Sequence, residues 1–421
     1  MRLLFSTLIL LSFSIRVAAE DREDPGLQQL AIESYVHLHR VPEAEAARRL
    51  RVQDRAAGID DRLEALLGAD YAGAWFNHEA RGRLEIGMTR SGRARAVDVQ
   101  RIVDEYALGD DVALIDVRFS LAELQRTKLS IRDSASDMLR IGHLATGYDP
   151  SINSVVVMTL SVLPSYEEAR IREIANQDGV VVRRVDSSTL TGRDFDFGYI
   201  ALCRINRCNP PMRGGRGVFS CTAGFTARHR VNTSDLVLLT AGHCIDGNWD
   251  TTWQAANVLG TPLNIGPSYG YVHGGFSGTD AGAIYIDPAG SWSTPEPEPW
   301  VLVEHSAQTT YDPKYAIEDD AASVVGSTLC YSGRTTLTNC AQVWMLGYDY
   351  VDSYGELMFD AGLLWPCTAG PGDSGAPIYK VHRGHGLLKG AVNGSNGGCF
   401  TSYQGIRKAE NELNVDILEA N

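Results

Sequence analysis

The spacing of apolar and polar positions changes character about half-way along the chain. From about Glu20 to about Asp194 the sequence is rich in charge, and apolar residues recur at helical spacing. The pattern predicts amphipathic helices at Leu27–His39 and Pro42–Leu67, the second opening on a proline where helices tolerate one and closing at Gly68. After Tyr71–Phe76 it predicts a strand at Leu84–Met88, a helix near Val97–Tyr106, a strand at Val112–Val117 and a helix near Leu121–Leu129. A strand at Asn153–Leu160, a helix at Tyr166–Asn176 and a strand at Val180–Val185 follow. The result is an α/β (α+β) segment, divided into subdomains at about 20–92 and 93–186. The polar, turn-rich stretch Asp186–Cys203 is the expected boundary. Beyond it, short β-type runs alternate with glycine, asparagine and serine turns. Strands are expected at Gly217–Ala227, Leu236–Thr240, Ala283–Ile286, Gln342–Leu346, Leu357–Phe359, Ala376–Tyr379 and Leu388–Val392. A helix at Arg407–Glu419 closes the chain. Such a pattern belongs to antiparallel sandwiches or barrels.

Composition changes this picture at three points. Met1-Arg2, the apolar run Leu3–Ile15 and the small residues Val17-Ala18-Ala19 read as a signal peptide over residues 1–19, so the expected location is extracellular or periplasmic. No later stretch approaches membrane-spanning length, and no membrane contact is expected after signal cleavage. A formal net charge of −14 over 421 residues argues against a nucleic-acid partner. All 8 cysteines lie between Cys203 and Cys399, an even number expected to pair as disulfides in an exported protein. Their order suggests Cys203–Cys208, Cys221–Cys244, Cys330–Cys340 and Cys367–Cys399, although order alone leaves connectivity open. They are dispersed and form no Cys-x-x-Cys pair, no acidic cluster has calcium-loop spacing, and neither a metal nor a cofactor is expected. His37, His39, His78 and His143 are scattered and read as solvated or packed side chains.

The candidate chemistry lies in the β-rich half. Gly370-Pro371-Gly372-Asp373-Ser374-Gly375-Ala376-Pro377 sets one serine in a glycine-flanked turn, where consecutive backbone N–H groups can point into one space beside the hydroxyl. A serine is a poor nucleophile near neutral pH unless an imidazole takes its proton and a carboxylate orients that imidazole. His243 ends Leu239-Thr240-Ala241-Gly242-His243-Cys244, next to an apolar strand. Asp280 opens Asp280-Ala281-Gly282-Ala283-Ile284 and is preferred over Asp246, Asp250 and Asp287, since a carboxylate entering a core must find partners. An α/β-hydrolase esterase is disfavoured because the preferred histidine precedes the serine and Gly372-Asp373-Ser374-Gly375 lacks the Gly-x-Ser-x-Gly pattern.

These three blocks resemble those of chymotrypsin-like serine peptidases, and the bridged segment Cys330–Cys340 resembles the bacterial branch that includes streptogrisins and alpha-lytic protease. The resemblance implies a secreted endopeptidase made as a zymogen. Its fold would be two antiparallel six-stranded β-barrels with a C-terminal helix over residues 196–421, preceded by a propeptide over 20–195 that assists folding and inhibits. It implies a triad of His243, Asp280 and Ser374, with oxyanion donors at the backbone N–H groups of Gly372 and Ser374. Cys221 and Cys244 resemble the bridge beside the histidine, and Cys367 and Cys399 the one framing the substrate pocket. The pocket walls are expected at Thr368, Ala369, Gly370 and Pro371 and at Asn393, Gly394 and Ser395. Neither wall carries an acidic residue, which points to an apolar or small P1 side chain. The expected partners are polypeptide substrates and the chain's own propeptide, and the expected state is a monomer. The competing reading is a noncatalytic secreted homologue that binds without turnover.

Overall fold

The computed structural model describes residues 25–420 apart from 188–189, 195–209, 257–260, 295, 304–313 and 394–398. The expected signal peptide and the pair Cys203–Cys208 therefore lie outside the described residues. No helix among those described is long and apolar enough to cross a membrane.

The N-terminal half begins with a helix at Pro25–His39. Where the spacing predicts one helix over Pro42–Leu67 there are two, Glu43–Arg55 and Ile59–Leu67. Gly58 takes a left-handed φ of 77° between them, an angle glycine adopts without strain, and the chain turns there although the apolar stripe continues. The strands Tyr71–Asn77 and Arg83–Thr89 pair antiparallel, and Val112–Val117 joins the latter in parallel. Leu63, Ile86 and Val99 lie in one core, so the helices Ile59–Leu67 and Ala96–Glu105 cover this sheet. The first subdomain thus runs to about residue 117, because a strand beyond residue 93 is hydrogen-bonded into it. A second unit pairs Leu144–Asp149 with Ser154–Leu160, and Ser154–Leu160 in parallel with Val180–Val185. The helices Leu121–Ser134 and Ser165–Ala175 pack on it.

The remainder is mostly β. One sheet orders its strands Thr252–Ala256, Pro262–Gly274, Thr279–Tyr285, Leu236–Thr240, Thr226–His229 and Val415–Ile417. In the other, Thr328–Gly333, Pro377–Lys380, Arg383–Asn393, Cys399–Gly405, Leu357–Trp365 and Leu337–Val351 follow in that order. Thr328–Gly333 pairs back onto Leu337–Val351, which closes the ring. The closing helix is shorter than its pattern predicts, Ile406–Leu413. Asn414 turns left-handed at φ 55°, and Val415–Ile417 leaves the helix to pair with Thr226–His229.

The two halves share hydrogen bonds. Leu144–Asp149 extends the closed sheet through Leu346↔Tyr148 and Asp349↔Thr146. Lys128 Nζ lies 2.8 Å from both Gly347 O and Asp349 Oδ1 and 2.5 Å from Asp360 Oδ1. Ser34 Oγ donates to Cys340 O at 2.7 Å, and Arg407 pairs with Asp61 at 2.6 Å. The short strand Gly192–Asp194 lies antiparallel to Gly390–Val392, in the register Asp194↔Gly390, Arg193↔Ala391 and Gly192↔Val392.

Candidate active site

His243 sits on the short helix Gly242–Ile245 that follows the strand Leu236–Thr240. A Cβ at Gly242 would meet Val272 O at 2.0 Å, so only glycine lets this turn approach the neighbouring strand. The next residue, Cys244, is bridged to Cys221. His243 is thereby held through the backbone on either side.

Asp280 lies in the strand Thr279–Tyr285, beside which Thr240↔Gly282 and His273↔Asp280 set the register. That register brings the carboxylate to the histidine. Asp280 Oδ1 accepts the backbone N–H of His243 at 2.8 Å, and Oδ2 lies 2.8 Å from His243 Nδ1. Both side chains are fully buried. Burial alone would raise the carboxyl pKa, but the charges of His243 and Lys389 outweigh it and hold Asp280 well below the usual carboxylate range. The bond from Nδ1 leaves Nε2 as the nitrogen for acid–base work.

Ser374 lies within a turn in which Gly372 takes φ 97° and Gly375 φ 86°. A Cβ at Gly375 would meet Thr240 Oγ1 at 2.1 Å and Thr222 O at 2.5 Å, so the serine turn is pressed against the strand that leads to His243. Asp373 is the buried anchor of this turn: it accepts from Thr335 N at 2.8 Å, Gly370 N at 2.9 Å and Thr336 Oγ1 at 2.6 Å. Desolvation still leaves its carboxyl raised despite these bonds. Asp373 N bonds to Gly370 O, Gly375 N to Leu388 O and Ala376 N to Asp373 O. Thr222 receives both ends of the turn, its N–H donating to Ser374 O at 2.7 Å and its hydroxyl to Gly372 O at 2.8 Å. The Ser374 hydroxyl donates to Lys389 O at 3.1 Å.

The sequence pattern alone does not single out Lys389. Its carbonyl receives the serine hydroxyl, while its ammonium lies 3.1 Å from Asp280 Oδ2 and 3.6 Å from Asp352 Oδ2, buried with them. His273 Nε2 sits 2.8 Å from Asp352 Oδ2, and its Nδ1 2.9 Å from Asp246 Oδ2. The available signal was one cation within the apolar run Leu387-Leu388-Lys389-Gly390-Ala391-Val392.

Of the expected wall residues, Thr368 accepts the Tyr331 hydroxyl at 3.0 Å, Ala369 is half-buried, Gly370 donates to Asp373, and Pro371 O accepts from Thr335 Oγ1 at 2.6 Å. Asn393 ends the strand Arg383–Asn393, opposite Cys399; Gly394 and Ser395 lie outside the described residues. Cys330–Cys340 and Cys367–Cys399 are bridged as their order suggests. Cys221, His243 and Cys244 come close enough to hold a metal ion, but both thiols are already joined in a disulfide and offer no thiolate.

Residues 44–100 match the family described as alpha-lytic protease pro N-terminal. Over 409 residues, 96% of this chain, the sequence is 22% identical to serine protease 1 of Rarobacter faecitabidus, and over 363 residues, 86% of this chain, 26% identical to streptogrisin-C of Streptomyces griseus. The resemblance to the streptogrisin and alpha-lytic protease branch is borne out. The chain spans 66% of the first relative's length and 69% of the second's. Among solved structures, Thermobifida fusca protease A is 21% identical, with a TM-score of 0.38, over 50% of this chain and 100% of its own. The matched segment 44–100 contains the helix pair broken at Gly58 and the antiparallel strands Tyr71–Asn77 and Arg83–Thr89. At 409 and 363 of 421 residues, both alignments cross from the cysteine-free half into the β-rich one.

Proposed function

We propose that this chain is a secreted serine endopeptidase zymogen, with a signal peptide over residues 1–19, a propeptide over 20–195 and a protease domain over 196–421 built on two barrels. Ser374 attacks the scissile carbonyl while His243 takes its proton. The same imidazole then returns a proton to the leaving amine, and water hydrolyses the acyl-enzyme. Asp280 fixes the tautomer of His243 and balances the imidazolium that forms. Gly372 and Ser374 supply the oxyanion amides, as the neighbouring amides of that turn are already bonded within the fold. The reaction needs no cofactor.

The observation that carries this reading is the buried Asp280–His243 pair, joined at two points and set against a serine turn that only glycines permit. Substrate lies along Gly390–Val392 as an added antiparallel strand. The chain's own Gly192–Asp194 occupies that place here, which supports autoinhibition by the segment just before the propeptide boundary. The P1 side chain enters between Thr368–Pro371 and the strand ending at Asn393.

The second reading, a noncatalytic homologue, draws support from the Ser374 hydroxyl donating to a carbonyl. Treatment of the secreted protein and its Ser374→Ala variant with a fluorophosphonate, followed by mass spectrometry of labelled peptide and chain ends, separates the two. Label on Ser374 of a processed C-terminal species, absent from the variant, is expected. An unlabelled wild type with its disulfides formed and its N-terminal half removed would establish the noncatalytic reading.

A further inference from the structure

Lys389 is 1% exposed, and its two faces touch two parts of the proposed machinery. Its carbonyl accepts from Ser374 Oγ and its ammonium ion-pairs with Asp280 Oδ2, the oxygen that also faces His243 Nδ1. A cation placed there competes with imidazolium for the same negative charge.

The charged and titratable groups around it come from four elements. Asp246 follows the helix of His243; His273 belongs to the strand Pro262–Gly274; Asp280 belongs to Thr279–Tyr285; Asp352 and Glu356 belong to the turn after Leu337–Val351. Asp352 is committed to that turn, accepting from Tyr354 N at 3.0 Å and Glu356 N at 2.8 Å. The Tyr350 ring centre lies 6.0 Å from the Lys389 ammonium, and the ring of Tyr354 lies 6.3 Å from that of His243. His273 is pushed up to about 9: burial opposes its charge, but the bond to Asp352 and the field of Asp280 prevail. It is therefore cationic at neutral pH. Two buried cations, Lys389 and His273, already lie against the two buried carboxylates Asp280 and Asp352, with the half-exposed Asp246 on the far side of His273. A proton on His243 adds a third cation beside Asp280, next to the ammonium of Lys389.

We propose that Lys389 is a positioning residue for the triad, one that draws charge from Asp280, keeps His243 neutral to lower pH and so extends peptidase activity into acid. This rests on the triad reading above. The same contact holds Asp280 and the serine turn to a single backbone position, since both are bound to Lys389.

The test pairs two readouts. In the full chain carrying Ser374→Ala, the imidazole of His243 is titrated by NMR with Lys389 intact and with Lys389→Met. Replacing the cation is expected to raise the midpoint by about one unit or more. In chains with Ser374 intact, the acid limb of the fluorophosphonate labelling rate is expected to move upward by the same amount. Lys389→Arg keeps the charge and is expected to keep both midpoints near those of the wild type. An unchanged midpoint in Lys389→Met, with labelling slowed equally at all pH values, overturns the proposal and leaves Lys389 as packing. So does an upward shift of about one unit or more in Lys389→Arg, a result that decides the matter even if the methionine variant does not fold. Failure of the wild type to be labelled, with the NMR shift present, rejects the triad reading alone.

Discussion

His243 owes its orientation to contacts on its backbone and its ring, and Asp280 makes both. Replacing Asp280 with asparagine preserves the shape but offers the imidazole an amide that can donate, which favours the wrong tautomer. The expected result is a fall in kcat of about 10⁴-fold with KM little changed, measured on a peptide substrate after activation. Gly375 is held differently, by the wall of Thr222 and Thr240 behind it and by its left-handed φ. Gly375→Ala is therefore expected to lower the thermal midpoint of the full chain by several degrees or prevent its secretion. A midpoint within a degree of the wild type would contradict the close approach. The three residues of the proposed triad are legible because each sits in a local signal: an apolar strand before the histidine, a polar residue opening an apolar run, a serine in a glycine-flanked turn. Lys389 was hidden because its meaning depends on pairing. Only the register that sets Gly390 against Ser402 and the hydrogen bonds around Leu388 turn its neighbourhood toward Asp280.

At the scale of elements, the strand Leu337–Val351 does most to join the halves. Its residue Asp349 is fully buried against Lys128 from the helix Leu121–Ser134, with Asp360 half-exposed on the other side of the ammonium. Removing the cation by Lys128→Met strands a buried carboxylate. The full-length chain, with Ser374→Ala to prevent processing, is expected to lose about 3–5 kcal/mol of stability by denaturant unfolding. A loss below 1 kcal/mol would mean that water reaches Asp349 readily. Element prediction erred where backbone freedom overrode periodicity. The stripe from Pro42 to Leu67 reads through Gly58, and the stripe from Arg407 to Glu419 reads through Asn414, yet both positions turn left-handed. Spacing records which face is apolar; it does not record where the chain changes direction.

Across the whole molecule, acid acts on the contact between halves. His78 bonds to Tyr35 at 2.6 Å and to Gly326 O of the β-rich half at 2.9 Å, and its ring stacks 4.1 Å from that of His39. Desolvation, joined by the charges of His39 and Arg49, lowers the pKa of His78 to about 3; desolvation and Arg49 lower that of His39 to about 4. A histidine depressed in the folded state contributes stability that is intact above its unfolded value of about 6.5 and is lost as pH falls toward its folded value. Thermal midpoints of the Ser374→Ala chain are therefore expected to fall more steeply between pH 6.5 and 4 with His78 present than in His78→Gln. Parallel curves would remove His78 from the account. Asp60 and Glu410, both raised to about 7 by burial, act in the opposite sense, so the difference between the two chains is the informative quantity.

On the reading that the N-terminal half departs, the margin of the Leu337–Val351 strand beyond Gln342 is laid bare. What it offers a passing chain is poor. The docked strand Leu144–Asp149 had matched it at only Leu346 and Asp349, with Gly347 kinked at φ 62° between them, and its register against Leu357–Trp365 slips three times. Regular margins recruit further strands and seed fibres, whereas a bulged and twisted one gives a newcomer two rungs and no ladder. On that reading, the irregularity by which the halves join would also keep the released β-rich half from stacking onto further strands through this margin.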